Sequence, residues 1–251
     1  MRFEEIKKVG IVGGGQMGGG IGQVFATFGY DVTLRDVSDE AIARGRSITF
    51  EGRFGLKRGF ERGKMTQEQY DWATSHYRYT TKLEDLADVD MIVEAVPEDL
   101  ALKQRVFGDL DRVVKTDAIF ASNTSGFVIG ELARDVSAER KKQFIGMHWF
   151  SPAQVMKAVE IVHTPQTEQH VIDTLVALVR KFQHEPQLVK DAPGTYGFIA
   201  NRVFEAAEKE ARKILAEGLA TKEDIDAAMR FGYGWPAGPI EAGELIGNAW
   251  Q

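Results

Sequence analysis

The chain has 251 residues, and its 43% hydrophobic and 27% charged residues are ordinary for a globular protein of one or two domains. A formal net charge of −6 argues against general nucleic-acid binding, and the lack of cysteine excludes disulfides, thiol nucleophiles and thiolate metal sites. No apolar run approaches the roughly 20 residues of a membrane span. The charged first residues lead straight into a predicted strand, which leaves no room for a targeting peptide and favours a cytoplasmic location.

Short apolar segments alternate with longer amphipathic ones over the first two thirds of the chain, a pattern typical of a mostly parallel α/β sheet. Strands are predicted at 9–12, 31–36, 90–96, 118–123, 144–150, 158–163 and 185–191. Helices are predicted at 18–28, 39–52, 100–114, 129–135 and 168–182. The charged segment 53–74 is expected to form helices that stand off the sheet.

The character of the sequence changes after Asp191. A turn-rich segment, DAPGTYGFIANR, precedes predicted helices at 198–217 and 222–230 and a loop at 231–239. Gly218 is a stop signal for the first of these helices, and Thr221 is a capping signal for the second. The sequence therefore predicts an α/β domain over residues 1–190, followed by a small all-α domain over residues 191–251.

A glycine-rich loop follows the first predicted strand. Gly13, Gly15 and Gly18 match the pattern G-x-G-x-x-G in its informative context, with a strand before it and a helix after it. The first glycine permits a tight turn, the second lets the backbone approach a pyrophosphate, and the third lets the helix pack closely on the strand. Together with Gln16 and Met17 these glycines form the predicted cofactor loop, where the helix N-terminus attracts phosphate.

Asp36 ends the second predicted strand, 23 positions after Gly13. This is close to the ~20-residue spacing of the acid that binds the cofactor ribose. A carboxylate there repels a 2′-phosphate, so NAD is favoured over NADP, although the neighbouring Arg35 could meet such a phosphate. We interpret residues 1–190 as a Rossmann-type NAD-binding domain. The alternative is a turn followed by a solvated acid.

A nicotinamide cofactor transfers hydride, so the protein has to supply a proton acceptor. Of the five histidines, His148 lies at the carboxyl end of a predicted strand, the edge at which open α/β sheets bind ligands. Glu160 lies among apolar residues of the next strand, where a carboxylate needs a partner, and a histidine one strand away is a suitable one. The alternatives are a histidine packed among aromatic residues and a half-exposed glutamate.

Five ordered segments resemble those of the 3-hydroxyacyl-CoA dehydrogenases, including the bacterial 3-hydroxybutyryl-CoA dehydrogenases. They are IVGGGQMGGGIGQVFATFGYDVTLRD, IVEAVPEDLALKQRVFGDLD, ASNTS, GMHWFSPAQVMKAVEIV and GFIANRV. The resemblance runs from about Lys8 to Gly247. It implies NAD-dependent oxidation of an (S)-3-hydroxyacyl-CoA to the 3-oxoacyl-CoA, and the reverse, in fatty-acid or butanoate metabolism. It also implies a homodimer formed through the helical domain.

The resemblance implies catalytic roles for four residues of this chain. His148 is the general base, Glu160 holds and polarises it, and Ser125 and Asn201 hydrogen-bond the substrate oxygens. From the residues alone, a helix cap is the favoured interpretation of both Ser125 and Asn201.

The resemblance also implies cofactor and substrate contacts. Glu98, Lys103 and Asn123 are expected near the nicotinamide ribose, although Lys103 could also be a solvated helix lysine. The stretch RFGLKRGFERGK (53–64) holds five basic residues and one acid. Because coenzyme A carries several phosphates, Lys57 and Arg58 are candidate contacts for it. A solvated basic face is the alternative.

The chain departs from the family at three places. Ser151, in FSP, replaces the asparagine of the usual FNP that touches the cofactor; its hydroxyl can bond directly or through water. The segment before Asn201 is longer than the common D-x-P-G-F-x-x-N-R, which is expected to move Asn201 or reshape the acyl pocket near Tyr196. The chain also stops at ELIGNAWQ, where relatives continue, so it is either truncated or a short variant.

Two other functions remain open from the sequence. One is a related NAD-dependent dehydrogenase of a free hydroxy acid, such as a sugar acid, and the basic stretch 53–64 weakly favours a CoA ester over it. The other is a non-catalytic, crystallin-like NAD-binding protein. Retention of all four predicted catalytic residues counts against this second alternative.

Overall fold

The computed structural model describes residues 1–194 and 196–249, with side chains described as far as residue 245. The chain divides into two compact units, Met1–Tyr196 and Gly197–Gln251. Within the described residues, no helix combines the length and the apolar character needed to cross a membrane. The last residues of the segment ELIGNAWQ lie outside the described residues.

The first unit contains one eight-stranded sheet. Its strands are β1 (Lys8–Val12), β2 (Asp31–Arg35), β3 (Tyr77–Thr80), β4 (Met91–Glu94), β5 (Ile119–Ser122), β6 (Phe144–Trp149), β7 (Ala158–His163) and β8 (Glu185–Lys190). The spatial order is β3-β2-β1-β4-β5-β6-β7-β8, and only the β6–β7 pair is antiparallel. The strand order reverses between β1 and β4, which places a ligand-binding crevice at their carboxyl ends. The predicted mostly parallel α/β fold is confirmed.

Helices of the first unit flank this sheet. They are α1 (Gln16–Thr27), α2 (Asp39–Glu51), α3 (Leu56–Glu61), α4 (Gln67–Ser75), α5 (Leu100–Val113), α6 (Ile129–Leu132), α7 (Ala138–Lys142) and α8 (Gln169–Lys181). The second unit is helical, with α9 (Ile199–Ala216), α10 (Lys222–Tyr233) and α11 (Pro239–Ala249). The predicted helical character of the chain after residue 191 is thus confirmed for the residues described.

The central strands are apolar because both faces of the sheet are covered by helices. β4, β5 and β6 are buried along their whole length, and β1 is buried after its first residue. Such continuous apolar runs are typical of parallel strands packed between two helical layers. The main core joins these strands to the inner faces of α1 and α8. This packing fixes the carboxyl ends of the strands, where the candidate site lies.

The structure differs from the predicted elements at several points. Tyr77–Thr80 forms an edge strand that was not predicted, because it is short and sits in a polar segment. The five-residue helix Ala138–Lys142 was also not predicted. The predicted loop at 231–239 starts too early, since α10 continues to Tyr233 and ends at Gly234, whose φ of 72° is left-handed. Glycine adopts this conformation readily, so it is a natural helix end.

The charged segment after α2 folds as predicted into helices. α3 contacts α2 and α4, and α4 contacts α1, so this segment forms an outer layer on the helices. Leu56 and Ala73 anchor the layer, since both are fully buried in the main core. In the second unit, the Thr221 hydroxyl accepts the backbone N–H of Asp224, which confirms the predicted cap of α10.

Candidate active site

The glycine loop lies between the end of β1 and the start of α1. Gly13 has a φ of 105°, and a Cβ there would lie 2.6 Å from the carbonyl oxygen of Ala95 in the loop after β4. A Cβ at Gly18 would lie 1.8 Å from the carbonyl oxygen of Gly13, so the helix and the loop need this glycine. Around a Cβ at Gly15, by contrast, no atom of the described residues lies within 4 Å.

The space beside Gly15 is open. Gly15 is the N-cap of α1 and supplies no side-chain bond to the first turn, so the backbone N–H groups of that turn face this space. Gln16 begins the helix, two residues before the predicted start at Gly18, and Met17 packs against the main core. The loop thus has the backbone shape that dinucleotide binding requires.

Asp36 is built into the glycine loop. Its Oδ2 accepts the N–H of Gly14 at 2.7 Å, and its Oδ1 accepts the N–H of Val37 at 2.6 Å. A Cβ at Gly14 would lie 3.0 Å from the same Oδ2, which gives this glycine a reason that the sequence pattern did not supply. The carboxylate is therefore fixed beside the glycine loop, just after the end of β2, and its contact with the cofactor ribose stays a prediction.

His148 and Glu160 lie directly opposite each other in the antiparallel pair β6–β7. The Nδ1 of His148 is 2.7 Å from the Oε2 of Glu160, and both side chains are buried. With Nδ1–H donating to the carboxylate, the lone pair of the neutral imidazole lies on Nε2. The ring also lies against Phe150, with centroids 4.7 Å apart. The arrangement is that of an oriented general base.

Glu94, at the end of β4, is a buried carboxylate that the sequence analysis missed. Its Oε1 accepts the Nζ of Lys103 at 2.7 Å and the N–H of Val96 at 2.7 Å, and its Oε2 accepts the hydroxyl of Ser122 at 2.6 Å. Burial raises the pKa of Glu94, against the lowering effect of Lys103 and of these hydrogen bonds. The available signal was a charged residue within the apolar run MIVEAV.

Glu98 lies just before α5, five residues before Lys103 in the chain, and forms an ion pair with it. The Nζ of Lys103 is 3.2 Å from Oε2 of Glu98, while Oε1 accepts the Thr124 hydroxyl at 2.6 Å and the N–H of Ser125 at 2.9 Å. The hydroxyl of Tyr196 lies 3.3 Å from the same Oε1. The structure thus brings together Glu98, Lys103 and Ser125, three of the predicted site residues.

Asn123 connects this cluster to the histidine strand. Its Oδ1 accepts the N–H of Trp149, the residue after His148, at 2.9 Å. The other end of the same edge is joined to the glycine loop, because the Nε2 of Gln16 donates to the hydroxyl of Ser151 at 3.2 Å. The predicted cofactor residues Asn123 and Ser151 therefore lie, like His148, at the carboxyl ends of β5 and β6.

The remaining predicted residues lie elsewhere. Lys57 and Arg58 are exposed on α3, and their predicted contact with coenzyme A stays a prediction. Asn201 lies in the first turn of α9, in the helical unit, and its contact with substrate also stays a prediction. The alternative that Lys103 is a solvated helix lysine is wrong, because its side chain is 1% exposed.

Comparison with known proteins decides the family. Residues 8–192 match the 3-hydroxyacyl-CoA dehydrogenase NAD binding domain, and residues 197–251 match the 3-hydroxyacyl-CoA dehydrogenase C-terminal domain. The chain belongs to the 3-hydroxyacyl-CoA dehydrogenase family. As a 3-hydroxyacyl-CoA dehydrogenase it is an oxidoreductase, and its cofactor is NAD.

Individual 3-hydroxyacyl-CoA dehydrogenases are similar over nearly the whole chain. A 3-hydroxybutyryl-CoA dehydrogenase of Clostridioides difficile is 38% identical over 240 residues, which cover 96% of this chain and 83% of that protein. One of Bradyrhizobium diazoefficiens is 37% identical over 242 residues, covering 96% and 80%. The crystal structure of (S)-3-hydroxybutyryl-CoA dehydrogenase from Ralstonia eutropha superimposes with a TM-score of 0.88 at 35% identity, covering 96% and 83%.

Proposed function

We propose that this dehydrogenase oxidises (S)-3-hydroxybutyryl-CoA, or a 3-hydroxyacyl-CoA of similar length, to the 3-oxoacyl-CoA and catalyses the reverse reaction. The similar proteins of C. difficile and R. eutropha carry that substrate in their names. The single observation that carries the chemistry is the buried His148–Glu160 pair at the ligand-binding edge of the sheet. A dehydrogenation of an alcohol needs such a proton acceptor beside the cofactor.

In the proposed mechanism His148 takes the proton of the 3-hydroxyl group on Nε2. NAD, when bound, supplies the chemistry of hydride acceptance from C3. Glu160 keeps the imidazole in the required tautomer and stabilises the imidazolium that forms when the proton arrives. Ser125 and Asn201 hydrogen-bond the substrate oxygens and stabilise the developing carbonyl. In the reverse direction, the imidazolium of His148 returns the proton to the carbonyl oxygen.

The cofactor residues divide between the two ends of NAD. Asp36 and the glycine loop bind the adenosine ribose and the pyrophosphate, whereas Glu98 and Asn123 border the nicotinamide half. Ser151 replaces the amide found in relatives and is already bonded to Gln16, so we propose that it contacts the cofactor through its hydroxyl. Lys57 and Arg58 are proposed contacts for the phosphates of coenzyme A.

The decisive experiment follows NADH absorbance with acetoacetyl-CoA, and then with free 3-hydroxy acids, for wild type and His148→Ala. A general base contributes ~100-fold or more, so His148→Ala is expected to lose at least that factor in kcat. His170→Ala is the matched control, since His170 is a half-exposed histidine that also faces a glutamate, Glu168, at 3.2 Å. Equal rates in His148→Ala and wild type would refute the mechanism, and turnover of free acids alone would refute the CoA substrate.

We further propose that the enzyme acts as a cytoplasmic homodimer formed through its helical unit. Three exposed apolar residues of that unit, Val203, Phe231 and Tyr233, support this interface. Light scattering coupled to size-exclusion chromatography is expected to give twice the chain mass for wild type. A Val203→Asp/Phe231→Asp variant is expected to shift toward one chain mass, and an unchanged mass would refute this interface.

A further inference from the structure

Five polar residues form a closed ring of contacts at the candidate cofactor site. Lys103 links Glu94 to Glu98, Thr124 donates to Glu98, and the ring returns to Glu94 through Ser122. It closes between Thr124 and Ser122, because the N–H of Thr124 donates to the Ser122 hydroxyl at 3.2 Å. The ring joins the carboxyl ends of β4 and β5 to the first turns of α5.

The Lys103 ammonium group has an acceptor for each of its three donors. An ammonium group has three donors, and Nζ has three acceptors within reach: Glu94 at 2.7 Å, the carbonyl oxygen of Val96 at 3.1 Å and Glu98 at 3.2 Å. Its side chain is 1% exposed, whereas that of Glu98 is 28% exposed. Of these two side chains, Glu98 is therefore the one that is accessible to a bound cofactor.

Glu94 controls how strongly Lys103 holds Glu98. Glu94 lies closer to the Lys103 ammonium than Glu98 does and is completely buried. Because low-dielectric surroundings screen charges poorly, the attraction of Lys103 to Glu94 is stronger than its attraction to Glu98. If Glu94 loses its charge, Glu98 becomes the single anionic partner of a buried ammonium group. Glu98 is then drawn toward Lys103, and its oxygens become poorer acceptors for the hydroxyl groups of a ribose.

We propose that Glu94 is a positioning residue for cofactor binding, which sets the place and charge of Glu98 through Lys103. This inference rests on the proposed contact of Glu98 with the nicotinamide half of NAD. The ring also flanks Asn123, whose neighbours in the chain, Ser122 and Thr124, are both ring members. Glu94 thus positions two cofactor-facing residues without touching the cofactor.

The test compares Glu94→Gln with Glu98→Gln and with Asp111→Asn. Asp111 is the matched control, because it pairs with a second buried cation, Arg140, at 2.8 Å. This pair lies near the amino end of β5, where Arg140 also donates to the carbonyl oxygen of Ala118. NADH affinity is measured by fluorescence titration, and stability by the melting temperature. Glu94→Gln and Asp111→Asn are both expected to lower the melting temperature, since each leaves a buried charge without its counter-ion. Only Glu94→Gln and Glu98→Gln are expected to raise the Kd of NADH, by about fivefold or more.

A double variant separates positioning from stability. Glu94→Gln/Lys103→Met removes both buried charges and is expected to recover the melting temperature lost in Glu94→Gln. It is expected to keep a raised Kd for a different reason, because Lys103→Met removes the ammonium group that positions Glu98. Ser122→Ala, which removes one donor to Glu94, should raise the Kd by about twofold and serves if Glu94→Gln does not fold.

The outcomes distinguish the two claims. If Glu98→Gln leaves the Kd of NADH unchanged, the proposed contact of Glu98 fails, and the role of Glu94 fails with it. If Glu98→Gln raises the Kd and Glu94→Gln does not, only the role of Glu94 is overturned. Recovery of both stability and NADH affinity in the double variant would also overturn it, since Glu94 would then act on stability alone.

Discussion

His148 and Glu160 meet because β6 and β7 are antiparallel. The register places the two residues directly opposite each other, and the His148 Nδ1 lies 2.7 Å from the Glu160 Oε2. Directly opposite residues of an antiparallel pair point to the same face with Cβ atoms ~5 Å apart, which suits this contact. The reversal of direction after β6 thus returns the chain to the same edge within twelve residues and supplies the base with its carboxylate.

Glu160→Gln is expected to lower kcat by about 10- to 100-fold and to leave the Kd of NADH nearly unchanged. The amide still accepts a hydrogen bond from Nδ1, so the ring orientation survives, but the imidazolium loses its counter-charge. Steady-state rates with acetoacetyl-CoA and NADH, together with NADH fluorescence titration, measure the two quantities.

Glu168→Gln is the control for this prediction, because Glu168 faces the half-exposed His170 at 3.2 Å. Exposed ion pairs contribute ~0–1 kcal/mol, so this change should leave both activity and stability close to wild type. A Glu160→Gln enzyme as fast as Glu168→Gln would show that the buried carboxylate does not assist His148.

Gly15→Ala is expected to weaken NADH binding, whereas Gly18→Ala is expected to lower the stability of the fold. A Cβ at Gly15 meets no atom of the described residues within 4 Å, whereas one at Gly18 would lie 1.8 Å from a carbonyl oxygen. Gly15→Ala should therefore keep its melting temperature but bind NADH at least about tenfold more weakly, because the methyl group enters the phosphate space. Gly18→Ala should lose roughly 3 kcal/mol of stability or more through overpacking. Wild-type NADH affinity in Gly15→Ala would contradict the cofactor assignment of this loop.

The architecture was predictable because its strongest signals are local. The apolar runs of β1 and β4 are examples, because each is followed by a helical segment, α1 and α5. β3 escaped prediction because Tyr77–Thr80 is a four-residue edge strand whose partner, β2, lies over forty residues earlier in the sequence. Its pairing depends on tertiary context that no local pattern carries.

The site was predictable only in part, for the same reason. The glycine pattern and the strand-end histidine are local signals, but the partner of a buried carboxylate is not. Glu94 lies at the end of a fully buried strand, and the sequence gives no sign that its partner Lys103 differs from an ordinary helix lysine. Only the approach of α5 to the end of β4 shows that these two charges form one buried network.

Asp36→Asn is expected to weaken the preference for NAD over NADP by about tenfold or more. The amide can still accept the N–H of Gly14, so the loop is kept, but the charge that repels a 2′-phosphate is lost. The ratio of kcat/KM with the two cofactors measures this preference. Asp31→Asn, at the other end of β2, is the control and should leave the ratio unchanged. An unchanged ratio in Asp36→Asn would refute the role of the carboxylate.

Asp90 is expected to stabilise the fold above pH 4 and to lose this effect in acid. Burial raises the pKa of Asp90, but the Lys115 ammonium and the N–H groups of Lys8 and Lys7 outweigh it, so the net shift is downward. A carboxyl group with a lowered pKa stabilises the folded state above its unfolded pKa of ~3.9, and this contribution disappears as the pH falls through the folded pKa.

Asp90→Asn should therefore reduce the free energy of unfolding at pH 7 by about 1–3 kcal/mol, with a smaller difference near pH 3. Urea unfolding at the two pH values measures this change. Asp88→Asn removes an exposed partner of Lys8 and should have little effect at either pH. A difference between wild type and Asp90→Asn that grows in acid would have the wrong sign for this explanation.

Tyr196 lies in the segment that is longer than in the family pattern, and it shares a contact with Glu98 with the proposed substrate-binding residue Ser125. Its hydroxyl lies 3.3 Å from Oε1 of Glu98, which also accepts the N–H of Ser125, and its ring meets Phe127 edge-on at 5.7 Å. The two aromatic rings therefore form a wall at this end of the site. We expect this wall to limit the length of the acyl chain.

Tyr196→Phe keeps the ring and should change the KM for acetoacetyl-CoA by less than about threefold, since the contact of its hydroxyl with Glu98 is long and exposed. Tyr196→Ala removes the ring. The ratio of kcat/KM for a ten-carbon 3-oxoacyl-CoA to kcat/KM for acetoacetyl-CoA should then rise by about tenfold, which is the effect of one or two methylene groups in an apolar pocket. Because the reference is the four-carbon substrate on the same variant, a general loss of activity cancels from the ratio. An unchanged ratio in Tyr196→Ala would show that the ring does not border the acyl chain.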